Sequence, residues 1–192
     1  MTIERKVGMG IAGQPSGGPT DVADVFSTDL WDGTYYNQNG AATTINNGID
    51  LAGEGGLVWL KTRVVTGSSA LYDTGRGANS VLFSTINNPA QSGSSDVLGS
   101  FTSTGFVTGA NGTTNGAETA SENSGNKFVS WTFRKKEKFF DIVTFTGNSS
   151  TQTIAHGLGG PVGMIIIKTT SHTDDWNVWH RSIPTNHLRF DT

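Results

Sequence analysis

Apolar residues come in short runs separated by polar, glycine-rich stretches, and the runs alternate more often than they repeat every third or fourth position. "GGLVWLKTR" (55–63) is bounded by Gly-Gly and a charged end and carries β-branched and aromatic residues, which predicts a buried strand. "SALYDTGRGANSVLFST" (69–85) predicts two more strands around a glycine turn. "VLGSFTSTGFVTG" (97–109) alternates, turns at Ser-Thr-Gly and alternates again, so it reads as a hairpin. "ANGTTNGAETASENSGN" (110–126) reads as a long polar loop. In "KFVSWTF" (127–133), Phe128, Ser130 and Thr132 face away from Val129, Trp131 and Phe133. Both faces are partly apolar, which predicts a central strand. The expected fold class is all-β.

The pattern is then written a second time. Residues 57–85 align without a gap to residues 164–192, at a constant offset of 107. Leu57 through Thr62 answers Met164 through Thr169, Leu71-Tyr72 answers Val178-Trp179, and Val81 and Phe83 answer Leu188 and Phe190. Further upstream, Asp29-Leu30-Trp31 is matched to Asp141-Ile142-Val143 and Gly48-Ile49 to Gly157-Leu158. Apolar positions coincide while polar identities drift, as expected where packing constrains only the inward positions. The first copy runs on for about fifty residues past Thr85; the second has no such continuation. A half-built unit leaves strand edges and an apolar face open. Either another chain covers it or these residues are the ordered start of a longer polypeptide, and the second is the favoured expectation. Three parts are expected: an extended arm over 1–25, a first β module over 26–135 and the start of a second over 136–192.

Composition narrows the function. Apolar residues make up 34% and there are 26 glycines, which suits short strands and polar turns. A formal net charge of −3 offers no basic face for nucleic acid, and "RKKEK" (134–138) reads as a solvated connector. There is no cysteine, so disulfides and thiolate chemistry are excluded. No stretch approaches the ~20 apolar residues of a membrane span. Gly8, Gly10 and Gly13 match a dinucleotide fingerprint in form, but Pro15 and Pro19 deny the helix that such a site requires. The first twenty residues instead read as an arm that orders on docking, with Ile3, Val7, Met9 and Ile11 as its grips.

Candidate chemistry is sparse. His156, His172, His180 and His187 form no paired ligand spacing, and no cofactor or metal is expected. Asp174 and Asp175 are adjacent, a poor arrangement for carboxylates that must flank one glycosidic bond. No catalytic residue is predicted. Among the tryptophans, Trp59 and Trp179 occupy core positions of the repeat, whereas Trp176 answers Ser69 and is expected to be exposed, a possible glycan contact.

Several motifs together carry a resemblance: Leu57 to Arg63, Asp73 to Gly77, Ser100 to Phe106, Val129 to Phe133, and Phe140 to Lys168 with its "AHGLGGPVGMIIIK". Residues 26–192 resemble a recurring module of tailed-phage tail fibres and related virion proteins. The resemblance implies jelly-roll-like β-sandwich modules behind an N-terminal anchoring arm. It also implies a homotrimer in the virion tail, assembled in the host cytoplasm and held by tail, baseplate or adaptor proteins. Distal parts would meet a host surface glycan or protein. The second copy departs from the pattern: His180 replaces the Asp73 equivalent, and Arg181 stands without the Arg-Gly turn. The alternatives are a lectin-like carbohydrate-binding module, another virion decoration or tail protein, and a tailspike-type glycan hydrolase.

Overall fold

The computed structural model describes residues 21–34, 41–64, 67, 69–93, 96–116 and 127–190. The expected arm, including Ile3, Val7, Met9 and Ile11, lies outside the described residues. Two helical turns, α1 (Val22–Val25) and α2 (Gly112–Asn115), accompany twelve strands. The strands are β1 (Phe26–Asp32), β2 (Thr44–Asn46), β3 (Gly56–Thr62), β4 (Ala70–Asp73), β5 (Ser80–Phe83), β6 (Gln91–Ser92), β7 (Ser100–Thr102), β8 (Gly105–Val107), β9 (Lys127–Arg134), β10 (Met164–Ile167), β11 (Asn177–His180) and β12 (His187–Arg189). They form three sheets, ordered β1-β9-β3-β4-β5-β6, β2-β8-β7 and β10-β11-β12. Each pairing is antiparallel. The all-β expectation holds.

The predicted central strand is central. β9 pairs with β1 from Phe26↔Phe133 to Asp32↔Lys127 and with β3 from Gly56↔Arg134 to Thr62↔Phe128. Its alternation sorts the side chains: Phe128, Ser130 and Thr132 are buried on one face. That face meets the β2-β8-β7 sheet, and Trp31, Ile45, Val58, Leu60, Tyr72 and Phe106 join Phe128 in one core. Trp31 stacks on Phe128 with ring centroids 5.3 Å apart and meets Phe106 edge-on. Thr132 on this apolar face is satisfied because its Oγ1 accepts from Asn47 Nδ2 at 2.9 Å. Gly105 is required at the hairpin: a Cβ there would lie 2.0 Å from the Ile45 carbonyl oxygen.

The opposite face of the long sheet is aromatic, with Phe26 on Phe133, Trp59 on Trp131 and Phe133 on Phe140. The C-terminal segment lies against it, as Phe190 meets Trp59 at 5.9 Å. The outer face of the six-stranded sheet is therefore covered in part, and Leu30 on β1 stays 59% exposed.

Two expectations need correction. Residues 110–116, read as part of an open polar loop, are largely buried. Asn111 Oδ1 accepts from Thr114 N, and Asn115 Nδ2 donates to Thr34 Oγ1, Ala41 O and Thr43 Oγ1. Polar side chains can sit inside when each finds a partner, and for Asn115 the partners lie some seventy to eighty residues away in sequence. The second concerns Asp141-Ile142-Val143, matched to β1, which forms no strand. β1 exists because β9 pairs along its full length. Residues 141–143 have no such neighbour, and Asp141 turns its carboxylate onto nearby backbone N–H groups instead.

Candidate functional site

The second copy of the repeat carries much of the exposed apolar surface among the described residues. β3 and β4 pair as Leu57↔Asp73, Val58↔Tyr72, Trp59↔Leu71 and Leu60↔Ala70. β10 and β11 pair as Met164↔His180, Ile165↔Trp179, Ile166↔Val178 and Ile167↔Asn177. Adding the sequence offset of 107 to every member of the first set produces the second. The repeat read in the sequence is thus also a repeat of register.

The third strand slips. β4 and β5 pair as Ala70↔Phe83 and Leu71↔Leu82, whereas β11 and β12 pair as Val178↔Leu188, one residue short of the transposed position. The turns explain this. In the first copy Gly77 adopts φ +91° and its N–H donates to Asp73 O. Pro184 occupies the equivalent position; it has no N–H and cannot reach positive φ. The turn closes one residue earlier, with Ile183 N donating to His180 O and Asn186 N to Ile183 O. A one-residue slip exchanges the faces of a strand, and Leu188, the sequence match of fully buried Val81, is exposed.

The first turn is also pinned by charge. Asp73 and Arg76 are both nearly buried, 2.6 Å apart. Asp73 Oδ1 accepts from Arg76 N, while the guanidinium donates to the Leu71 and Ser80 carbonyls. The Arg-Gly motif is thus a self-satisfied staple with its donors committed inward. Beside it the Tyr72 hydroxyl donates to Asp96 O, and burial, then the nearby Asp96, raise its pKa against a smaller opposing pull from Arg76. In the second copy His180 takes a lesser version of the Asp73 role, accepting at Nδ1 from Ser182 N at 3.2 Å.

Trp176 is not the exposed platform expected from its match to Ser69. It is 3% exposed and packs with Leu71 and Leu82. Its indole N–H lies within bonding distance of the carbonyls of Phe83 and Ile86. A large aromatic beside a half-covered sheet gains more from burial than from water, provided its N–H finds a partner. Further bonds clamp the same junction: Ala90 N to Thr170 O, Asp174 N to Asn87 O and Lys168 Nζ to Asn87 O.

What remains open is β10. Met164, Ile165, Ile166 and Ile167 are 56%, 39%, 40% and 45% exposed. β11 pairs with one edge, and among the described residues no strand pairs with the other. Their counterparts Val58 and Leu60 are 0% exposed, and β9 occupies the second edge of β3. Val143, Phe145, Ile183 and Leu188 add to the exposed apolar surface of residues 136–190.

Other groups offer less. Asp141 lines an open depression with Glu54, Lys136 and Glu137, but its carboxylate is committed to Lys135 at 3.0 Å and to the N–H groups of Gly157 and Ile142. Burial would raise its pKa; the Gly157 N–H, Lys135 and the Ile142 N–H outweigh that and hold it below the usual carboxylate range. Asp174 and Asp175 do not act as a pair. Asp174 accepts from Thr169 Oγ1 and from the following backbone N–H, which lower its pKa, while Asp175 bonds Arg189. Among the described residues no cluster of histidine and carboxylate side chains is arranged to hold a metal ion, and no helix is long and apolar enough to cross a membrane.

The signal for the open strand was present in the sequence as "MIIIK" aligned with "LVWLK", but only the pairing reveals which edge is free. No curated protein and no solved structure matches the chain. One family model spans residues 23–192, and with them both copies of the repeat. The chain belongs to that family, described as a domain of unknown function, DUF7483.

Proposed function

We propose that this chain is a structural component of a bacteriophage virion, the proximal, tail-anchoring part of a tail fibre that takes part in host attachment. The observation that carries this reading is the recurrence of the β3–β4 register at β10–β11. A unit written twice in one chain, the second docked on the first and exposing apolar surface, is the arrangement of a serial array rather than of a self-contained catalyst. The two sheets that share a core fit the jelly-roll-like module implied by the motif resemblance. Residues 26–135 and 136–192 are then successive modules, and residues 1–25 an arm that docks in a tail, baseplate or adaptor protein through Ile3, Val7, Met9 and Ile11. The assembled form is a homotrimer, with host contact made by distal parts. Burial of Trp176 removes the residue on which a lectin reading relied.

The test is a particle-incorporation assay with a chain lacking residues 1–20. The truncated protein should keep the melting temperature of the full chain and be missing from purified particles. Incorporation at the full-length level would refute anchoring by the arm. Absence of the full-length chain from particles would refute the virion assignment itself.

A further inference from the structure

The geometry points to the free edge of β10 as a strand acceptor, which takes an extended segment of a partner polypeptide in antiparallel pairing. The chain contains its own template for the occupant. β10 stands to β11 as β3 stands to β4, and the second edge of β3 is filled by β9. Transposing the β3–β9 register by 107 residues places a Phe133-like side chain opposite Met164 and a Trp131-like one opposite Ile166. A Thr132-like residue then faces Ile165 and a Ser130-like residue faces Ile167. The partner segment is therefore aromatic at two alternate positions, with small hydroxyl residues at the positions between. The added strand would satisfy the unpaired backbone groups of β10, and its aromatic side chains would flank the exposed Met164 and Ile166.

A second copy of this chain is a poorer occupant. Its β9 is held on both edges, by β1 and by β3, and cannot be lent without opening that sheet. Pairing β10 with the β10 of another copy would close the edges but put isoleucine against isoleucine and methionine, without the aromatic residues that the β3 template calls for. The inference rests on pairing geometry and stands whether or not the chain belongs to a virion.

The experiment joins a flexible Gly-Ser linker and the sequence of residues 127–134, "KFVSWTFR", to the end of the full chain. Tethering raises the local concentration to about the millimolar range, enough for a short strand to register. A matched fusion carries proline at the Ser130 position of the added segment, which removes a ladder donor and disfavours the strand. Nuclear Overhauser contacts between the added tryptophan and Ile166, with shifted amides over Met164–Lys168 in the first fusion only, are the expected result. Identical spectra for the two fusions would overturn the inference. So would sedimentation of the unfused chain as a dimer that Ile165→Lys returns to a monomer, because the occupant would then be a second copy.

Discussion

β3 and β10 carry nearly the same apolar pattern, pair with their next strand in the same register, and end in opposite surroundings. Val58 and Leu60 are sealed; Ile165 and Ile167 face water. The difference lies outside the strands themselves. β3 has β9 on its second edge and the β2-β8-β7 sheet over its inner face, and among the described residues β10 has neither. Local pattern is enough to specify a strand and its nearest partner. Burial requires elements supplied from elsewhere, in the first copy by residues 66 to 78 positions downstream.

The comparison can be broken most sharply at its core. Leu60→Ala should cost about 2–5 kcal/mol in denaturant unfolding, because it opens a cavity in a closed interior. The matching change, Ile167→Ala, should cost about 0.5 kcal/mol. Equal costs would mean that β10 is covered in solution. Next comes the pinned turn. Arg76→Ala strands the Asp73 carboxylate and should cost about 3 kcal/mol, while Arg181→Ala, at an exposed position of the second turn, should cost about 0.5 kcal/mol or less. Gly77→Pro transplants the residue of the second copy into the first. It removes the bond to Asp73 O and forbids φ +91°, for a cost of about 2 kcal/mol in thermal unfolding.

The smallest effect is one of pH. The Asp141 pKa is depressed in the folded chain, so the carboxylate contributes stability that is complete above the unfolded value of about 3.9 and is lost as pH falls through the folded value. Asp141→Asn should therefore be less stable than the parent at pH 7, with the gap closing below about pH 4. A gap that widens on acidification would contradict the assigned hydrogen bonds.

Much of the first copy was legible because its inward positions are apolar and its short strands are bounded by turn residues. Leu57–Thr62, the strands around Arg76 and Gly77, the hairpin at Gly105 and the central position of Lys127–Arg134 all follow from alternation and turn residues. The repeat was legible for the same reason. What the sequence hid was pairing at a distance. Asn115 read as loop, since nothing local reveals that carbonyls and hydroxyls at residues 34–43 will satisfy it. Trp176 read as exposed because it answers Ser69, yet Ser69 is itself buried and the Phe83 and Ile86 carbonyls take the indole N–H inside. Asp141-Ile142-Val143 carried a strand pattern without a strand to pair with. The slip of β12 is the instructive case: a proline where the first copy has its positive-φ glycine signals a different turn, but a gapless alignment conceals it.

The central claim, that the second copy repeats the first while one edge of its leading strand stays open, is tested most directly by residue-resolved amide hydrogen exchange on the full chain. Amides of Val58 to Lys61 should exchange only through global opening, and those of Met164 to Ile167 should be at least about tenfold less protected. Equal protection across the two strands would show that β10 has a partner on both sides, and the account would fail.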